Sequence, residues 1–345
     1  MGPFHSSHDR SDQQGGSGAQ LGRGRAQYST ANDTFARATW YLPSDARRAF
    51  FEGADRPGTK TSTLNAKLPN LNVVEIDNTG SHHCPQRDRL RVVAFNAQRG
   101  KEWSNISRLI QAGPTLREAD VILLNEMDIG MARSGNLHTT RLLANALGMN
   151  FVWGVEFFEL SSGDREEQAA TLGLQDTLGL HGNAVLSKCP ISPDAFLIRD
   201  ALPSSYFTKN PSSTNAGGYE RRLGGRMALA AKVDWPLVSG GNVSVMLISS
   251  HKVAKGMDLV DKLAKTHNVI LGGDQQCRGA LKKVNEVSEP TWPVMESCIF
   301  SKRKHQGDHF CSNVRTTVFR VVMPCTDSIP LLSDHALISV DVMLS

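Results

Sequence analysis

Six short polar segments follow or interrupt apolar, strand-like runs along this chain, and their residue types suit one kind of reaction. The segments, in chain order, are Phe95-Asn96-Ala97, Leu124-Asn125-Glu126-Met127, Ser250-His251, Gly272-Gly273-Asp274, Asp308-His309-Phe310 and Ser333-Asp334-His335. Strand ends in a packed sheet can bring residues that are far apart in sequence into one cleft. An amide, several carboxylates and imidazoles in such a cleft are the groups that metal-assisted cleavage of a phosphate ester needs.

The composition is that of a globular chain with a real core. Its 345 residues are 40% hydrophobic and 21% charged, and they could hold one large domain or two ordinary ones. The formal net charge of +4 suits an anionic substrate, although so small a charge is also common in proteins that bind no polyanion. The six cysteines form no C-x-x-C pair, so the sequence offers no paired zinc-ligand spacing.

No targeting signal is visible in the sequence. The N-terminus lacks the apolar stretch of a signal peptide, and no apolar run approaches the roughly 20 residues that a membrane-spanning helix needs. A cytoplasmic, reduced setting is therefore the expectation, with no transmembrane segment. We expect a monomer.

The chain divides into a polar beginning and a strand-rich remainder. Residues 1–35 are rich in Gly, Ser, Gln and Arg, which predicts a disordered tail. Residues 36–88 form an extension of ambiguous structure, with a short helix expected near 44–51 and a strand near 73–76. Helical spacing is seen at 105–119, with a break at Gly113-Pro114, and at 139–147 and 253–265. Beyond the strands before Phe95 and Glu126, strands are predicted at 151–158, 183–187, 226–234, 243–249, 268–271, 309–314, 316–323 and 336–343.

Many strands with few helices between them indicate an α/β layered fold. Ten or more strands are too many for one open sheet, so two sheets packed face to face, with helices outside, are expected. The polar stretches 161–180 and 203–225 are predicted as long loops of the kind that shape substrate sites.

The ordered motifs resemble those of the endonuclease/exonuclease/phosphatase superfamily, whose fold is that of deoxyribonuclease I. The likeness covers residues 89–345, and Gly182-Asn183-Ala184 followed by Pro190-Ile191 resembles another shared segment. It implies a four-layer α/β sandwich, two packed mixed sheets flanked by helices, as a catalytic domain. It also implies a divalent metal, magnesium or in its place manganese, and hydrolysis of a phosphodiester or phosphomonoester. Because the family includes nucleases and lipid phosphoesterases, the substrate stays open between nucleic acid and a phosphorylated lipid or small molecule.

The resemblance also implies roles for the candidate residues. Glu126 would be the principal metal ligand, helped by Asn96 and Asp334, since a carboxylate that ends an apolar strand needs a partner such as a hard cation. Asp274 would activate the attacking water, and His251 would protonate the leaving oxygen. His335 would contact the scissile phosphate, oriented by Asp308. Candidate phosphate contacts are Gln276, Asn183, Arg133 and Asn136, with Arg222 and Arg226 as further loop arginines.

One position departs from the family pattern. The family usually has Asn two residues after the Asp of Gly-Gly-Asp, and this chain has Gln276. The longer side chain moves the amide, and a shift near 1 Å costs on the order of a hundredfold in rate. A catalytically weak or silent member that acts as a binding module is therefore the alternative to an active phosphoesterase.

Overall fold

The computed structural model describes residues 74–81, 83–199, 222–253, 256–274, 282–283, 308–322 and 332–344. The predicted tail, the predicted helix near 44–51, most of the loop 203–225 and Gln276 lie outside these described residues.

The described strands form two sheets. The larger sheet has the order β1-β4-β5-β3-β2-β14-β13, with β7 paired to β4. Its strands are β1 (Val74–Asp77), β2 (Arg89–Asn96), β3 (Val121–Ile129), β4 (Asn150–Glu159), β5 (Leu180–Ser187), β7 (Arg222–Gly224), β13 (Thr316–Val322) and β14 (Leu337–Met343). The smaller sheet has six strands in the order β11-β12-β10-β9-β8-β6. They are β6 (Phe196–Arg199), β8 (Met227–Pro236), β9 (Asn242–Ser250), β10 (Asn268–Asp274), β11 (Lys282–Lys283) and β12 (Asp308–Ser312).

Helices cover the outer faces of both sheets. Helices α1 (Trp103–Ala112) and α2 (Thr139–Leu147) bury their apolar sides against the larger sheet, and α4 (Met257–Ala264) packs on the smaller sheet. A third apolar cluster fills the space between the sheets. The predicted four-layer α/β sandwich, with two mixed sheets, is therefore confirmed.

Local differences from the predicted elements have identifiable causes. Helix α1 ends at Ala112 because Gly113 is extended, and only a 3-10 turn, Leu116–Glu118, follows. The stretch 161–180 is not all loop, because Asp164 and Glu167 form a capping box that starts the short helix α3 (Arg165–Ala170). Strand β1 pairs with β4, so the larger sheet begins before residue 89. None of the described helices is long and apolar enough to cross a membrane.

Along the strands, every second side chain points into the space between the two sheets, and these inward side chains change from apolar to polar toward one end. On β2 the inward positions run from Val92 and Ala94 to Asn96, and on β10 they run from Ile270 to Asp274. The same change from apolar to polar occurs on β3, β4, β5 and β9. The end of the sandwich where the polar residues gather, marked by Asn96, Glu126, His251 and Asp274, is called the site end below.

The opposite end of the strands is held by a disulfide. Cys84 precedes β2 and Cys189 follows β5, and their sulfurs are bonded, with the Cα atoms 4.3 Å apart. The buried carboxylate of Asp120 lies at the same end and accepts from the Arg91 backbone N–H at 2.9 Å. This end is called the closed end.

Candidate active site

The backbone of β3 brings two neighbouring residues into the site. A register shift between Leu124 and Met127 interrupts the pairing with β5, and Glu126 has a left-handed φ of 58°. A bulge of this kind lets consecutive side chains leave the usual alternation. Asn125 consequently reaches Ser249 Oγ on the other sheet, 3.1 Å away, while Glu126 reaches Asn96 on β2.

Two glycines allow β10 to approach β3 closely. A Cβ on Gly272 would lie 2.8 Å from the Cβ of Ala94, and one on Gly273 would lie 2.4 Å from Asn125 Oδ1. Gly273 also has a φ of +127°, which side-chain-bearing residues rarely adopt. The Asp274 N–H then donates to Asn125 Oδ1 at 3.1 Å, which joins the two sheets directly behind the site.

Glu126 lies among three positively charged or donor groups. Its Oε1 accepts from Asn96 Nδ2 at 3.1 Å, and its Oε2 accepts from Arg99 Nη1 at 3.0 Å. Burial raises the pKa of Glu126, but the charges of Arg99 and His251 outweigh burial and hold it well below its usual range. Glu126 is therefore ionised at neutral pH, as a metal ligand must be.

His251 is fixed by a carboxylate of the larger sheet. Its Nδ1 donates to Glu156 Oε2 at 2.9 Å, and Arg226 Nη1 lies 3.0 Å from the other oxygen, Glu156 Oε1. Burial alone would raise the pKa of Glu156, but His251 and Arg226 outweigh burial and lower this pKa to about 2. Glu156 is ionised at neutral pH and can then only accept a hydrogen bond, so the proton of Nδ1 is fixed and Nε2 points away from Glu156.

The Nε2 atom of His251 faces both other acidic residues. It lies 3.8 Å from Glu126 Oε1 and 3.9 Å from Asp274 Oδ2, and Arg226 Nη1 is nearer still, at 2.8 Å. Asp274 Oδ2 is in turn 2.8 Å from Lys252 Nζ. Three predicted residues, Glu126, His251 and Asp274, therefore surround one point at the site end.

The C-terminal motif lies beside this group. Ser333 Oγ donates to the carbonyl of Asn96 at 2.7 Å and accepts from the His335 N–H at 3.1 Å. His335 Nε2 is 3.9 Å from Asp334 Oδ1. The backbone of Asp308 lies opposite Asp274 in the pairing of β10 with β12, which brings the Asp308 position to the same end. The predicted pairing of the Asp308 and His335 side chains stays a prediction.

Two of the candidate phosphate contacts, Arg133 and Asn136, contact protein groups instead. The buried guanidinium of Arg133 contacts Asp128 at 2.8 Å, Glu167 at 3.1 Å and Glu159 at 3.3 Å, which does not support a role as a phosphate contact. Asn136 joins its loop to the next, donating to the Gln175 carbonyl and accepting from the Thr177 N–H.

Asn183 and the two further arginines are committed to protein groups. Asn183 is fully buried between the sheets, where Nδ2 donates to the Met227 carbonyl and Oδ1 has no hydrogen-bond partner among the described residues. Its amide therefore presents an acceptor rather than the donor that a phosphate needs. Arg222 stacks 4.2 Å over the ring of Phe157, and Arg226 is held by Glu156 as described above.

A second charged cluster lies behind Glu126. His181 Nδ1 contacts Asp128 at 2.8 Å. Arg99 links Glu126, which its Nη1 contacts, to Glu167, which lies 3.4 Å from its Nε. Burial lowers the pKa of His181, so its ring is neutral at pH 7 despite Asp128. The cluster joins strands β3, β4 and β5 to helix α3 and fixes the base of the site.

The donor set has the chemistry of a hard-cation site. Glu126, Asn96 and Asp334 offer oxygen atoms, which magnesium and manganese prefer, and Glu126 and Asp334 are partly exposed. In the described part of the chain, no group of three or more His, Cys, Asp or Glu side chains is arranged to hold a metal ion. These residues fit magnesium, which usually keeps several water ligands.

Comparison with known proteins finds distant structural likenesses. A solved endonuclease/exonuclease/phosphatase from Beutenbergia cavernae is 16% identical, with a TM-score of 0.43 over 75% of this chain and 72% of the other. D. rerio TDP2, humanized by 14 mutations, is 16% identical, with a TM-score of 0.41 over 74% and 99%. Sphingomyelinase C from Streptomyces griseocarneus is 15% identical, with a TM-score of 0.40 over 73% and 99%. No family model and no curated protein matches the chain.

Four residues of the site were not predicted from their motifs. Arg99, Glu156 and Lys252 had no assigned role, and Arg226 was expected to contact phosphate rather than Glu156. Glu156 lies within the apolar run 151–158 and faces inward by the same alternation as Val152, beside the register shift between Val155 and Phe157. A charged residue inside an otherwise apolar strand was the available signal, because such a residue must find a partner.

Proposed function

We propose that the chain hydrolyses phosphate esters with the help of a divalent cation. The observation that carries this proposal is that His251 Nε2 lies within 4 Å of two carboxylates, those of Glu126 and Asp274, which come from different sheets. This arrangement supplies an ionised oxygen ligand, a carboxylate base and a fixed imidazole on one side of a substrate.

The residues divide the work as follows. Asp274 orients the attacking water and accepts its proton, and the Asn125 contact with its N–H keeps the carboxylate in place. His251 delivers a proton from Nε2 to the leaving oxygen, while Glu156 holds Nδ1 and stabilises the charged ring. His335 contacts the phosphate from the opposite side. Glu126, Asn96 and Asp334 would hold magnesium or manganese, which would neutralise charge on the phosphate oxygens.

One further observation favours an ester with an apolar portion over a polyanion. Leu172 and Leu174 are 89% and 60% exposed, and Leu137 is 41% exposed on the neighbouring loop that Asn136 connects to theirs. The first two directly follow helix α3, whose Glu167 contacts Arg99 beside Glu126. Exposed leucines on the loop that follows α3 suit a lipid-like substrate. A nuclease would instead bind DNA through basic residues such as Lys101 and Lys252, with a strong dependence on salt.

Turnover assays test this proposal. Bis(p-nitrophenyl) phosphate, single-stranded DNA, duplex DNA and phosphatidylcholine vesicles would each be offered with magnesium or manganese, and again with EDTA. We expect cleavage of the synthetic diester and of the lipid, lost in EDTA. Asp274→Asn should lower the rate about a thousandfold, because general-base catalysis contributes roughly 10²–10⁴-fold. Asp234→Asn, which changes an exposed carboxylate on β8, is the matched control.

The outcomes separate the alternatives. Cleavage of DNA but not of the lipid would reverse the substrate preference while keeping the reaction. No cleavage of any ester, by a protein that still binds magnesium, would favour the silent binding module, with Gln276→Asn as the variant that should restore activity. Unchanged turnover and metal binding in Asp274→Asn would contradict the assignment of the site.

A further inference from the structure

Lys252 is an exposed lysine that forms an ion pair with the buried carboxylate of Asp274. Its Nζ lies 2.8 Å from Asp274 Oδ2, and its side chain is 58% exposed whereas that of Asp274 is only 7% exposed. The ammonium therefore approaches a buried carboxylate from the solvent side.

The backbone holds Lys252 in this place. Lys252 has a left-handed φ of 53°, and its N–H donates to the Asp274 carbonyl at 2.7 Å. The preceding His251 N–H donates to the Met227 carbonyl at 3.1 Å. A non-glycine residue in this region costs on the order of 1 kcal/mol, and such conformations gather at functional sites. An exposed ion pair contributes only about 0–1 kcal/mol to stability, so stability alone is a weak reason to keep it.

The other cations of the described site have less freedom to meet a ligand. Arg99 bridges Glu126 and Glu167 and is 13% exposed, and Arg226 is held against Glu156 and is 17% exposed. The Arg133 side chain is 1% exposed among three carboxylates. Lys252 is thus the most exposed of these four cations, and it has one carboxylate contact on a flexible stem.

We propose that Lys252 is a residue that binds the substrate phosphate. Its ammonium leaves Asp274 Oδ2 for a nonbridging phosphate oxygen, which frees Asp274 to accept the proton of the attacking water. This assignment rests on the proposed function and replaces the sequence-based candidates Arg133 and Asn136 as phosphate contacts. It also supplies a phosphate contact that does not depend on Gln276.

Binding of inorganic phosphate, measured by isothermal titration calorimetry, tests the assignment without requiring turnover. We expect Lys252→Met to weaken phosphate binding by about tenfold to a hundredfold, the usual range for a lost hydrogen bond to a charged group. Lys252→Arg should restore binding to within a few-fold of the unaltered protein. Lys265→Met, which removes an equally exposed lysine paired with Asp261 on α4, should leave phosphate binding unchanged.

Kinetics with bis(p-nitrophenyl) phosphate provide the second readout. A phosphate contact predicts that Lys252→Met raises KM more than it lowers kcat. Unchanged phosphate binding with a loss confined to kcat would overturn the proposal and make Lys252 a residue that positions Asp274. Absence of phosphate binding to the unaltered protein would also overturn it. Phosphate binding that depends on Lys252, in a protein that hydrolyses no ester, would support the contact while contradicting the proposed function.

Discussion

The two ends of the sandwich use the same strands in opposite ways. At the closed end, Asp120 accepts from the Arg91 N–H and lies 3.5 Å from both Arg87 and Lys188, and the Cys84–Cys189 disulfide joins the segment before β2 to the segment after β5. At the site end, the described non-glycine residues with left-handed φ gather: Gln98, Arg99, Glu126, Asn136 and Lys252. The closed end is cross-linked, whereas the site end holds strained backbone and closely spaced charges. Strained backbone of this kind is expected at sites of binding and catalysis.

Breaking the disulfide should have the largest effect on stability and little effect on the site. The bond closes a loop with a sequence separation of 105 residues. The chain-entropy model gives about 4–5 kcal/mol of unfolding free energy for a loop of this size. Urea unfolding of the Cys84→Ser, Cys189→Ser double variant should show this loss.

The rate with bis(p-nitrophenyl) phosphate should stay within a few-fold of that of the unaltered protein below the unfolding transition. A thiol titration of the purified protein would reveal Cys84 and Cys189 as free thiols if the disulfide does not form, and that result would contradict the comparison.

Removing the buried guanidinium of Arg133 should destabilise the site end nearly as much. Arg133→Met leaves Asp128, Glu159 and Glu167 without their shared cation. Breaking a buried ion pair from one side costs about 3–5 kcal/mol. Urea unfolding measures this loss, with KM for the diester unchanged. A raised KM at unchanged stability would instead make Arg133 the phosphate contact that the sequence predicts.

Neutralising Glu156 should lower the rate by about a hundredfold, because His251 loses the group that fixes its tautomer. Glu156→Gln would be compared with Glu118→Gln, which alters an exposed glutamate that contacts Arg91. If Glu156 acts through His251, the double variant Glu156→Gln, His251→Gln should be no slower than His251→Gln alone. Additive losses would show that Glu156 has a separate role.

Acid should weaken the fold gradually through the site end. The pKa of Glu156 falls from 4.5 to about 2 on folding, because His251 and Arg226 outweigh the effect of burial. The stability that it contributes is complete above pH 4.5 and is lost as pH falls toward 2, by about 1.4 kcal/mol per pH unit. His181, whose pKa is lowered by burial, removes further stability below its ordinary pKa of 6.5. Urea unfolding at pH 7, 5 and 3 measures the slope, and equal stability at all three would contradict this linkage.

The sequence predicts the fold and the positions of the site residues better than their partners. Apolar runs that end in Asn96, Glu126, His251 and Asp274 mark strand ends, and the structure places these residues together. The assignment of Arg133 to phosphate rested only on a loop position, which does not show that three carboxylates surround it. Alternation along β4 places Glu156 on the inward face, but its contacts with His251 and Arg226 depend on how the two sheets pack together. The contact of Lys252 with Asp274 depends on a left-handed turn. Residue patterns along single strands encode neither of these.

The sandwich also has a consequence for the time course of refolding. Asn96 contacts Ser333 across 237 residues of sequence, and Asn125 contacts Asp274 across 149. Contacts this distant along the chain form late, because each must first close a large loop. After dilution from urea, recovery of the proposed hydrolytic activity should therefore lag behind the return of sheet structure. The rate at which turnover recovers would then measure how fast the two sheets dock.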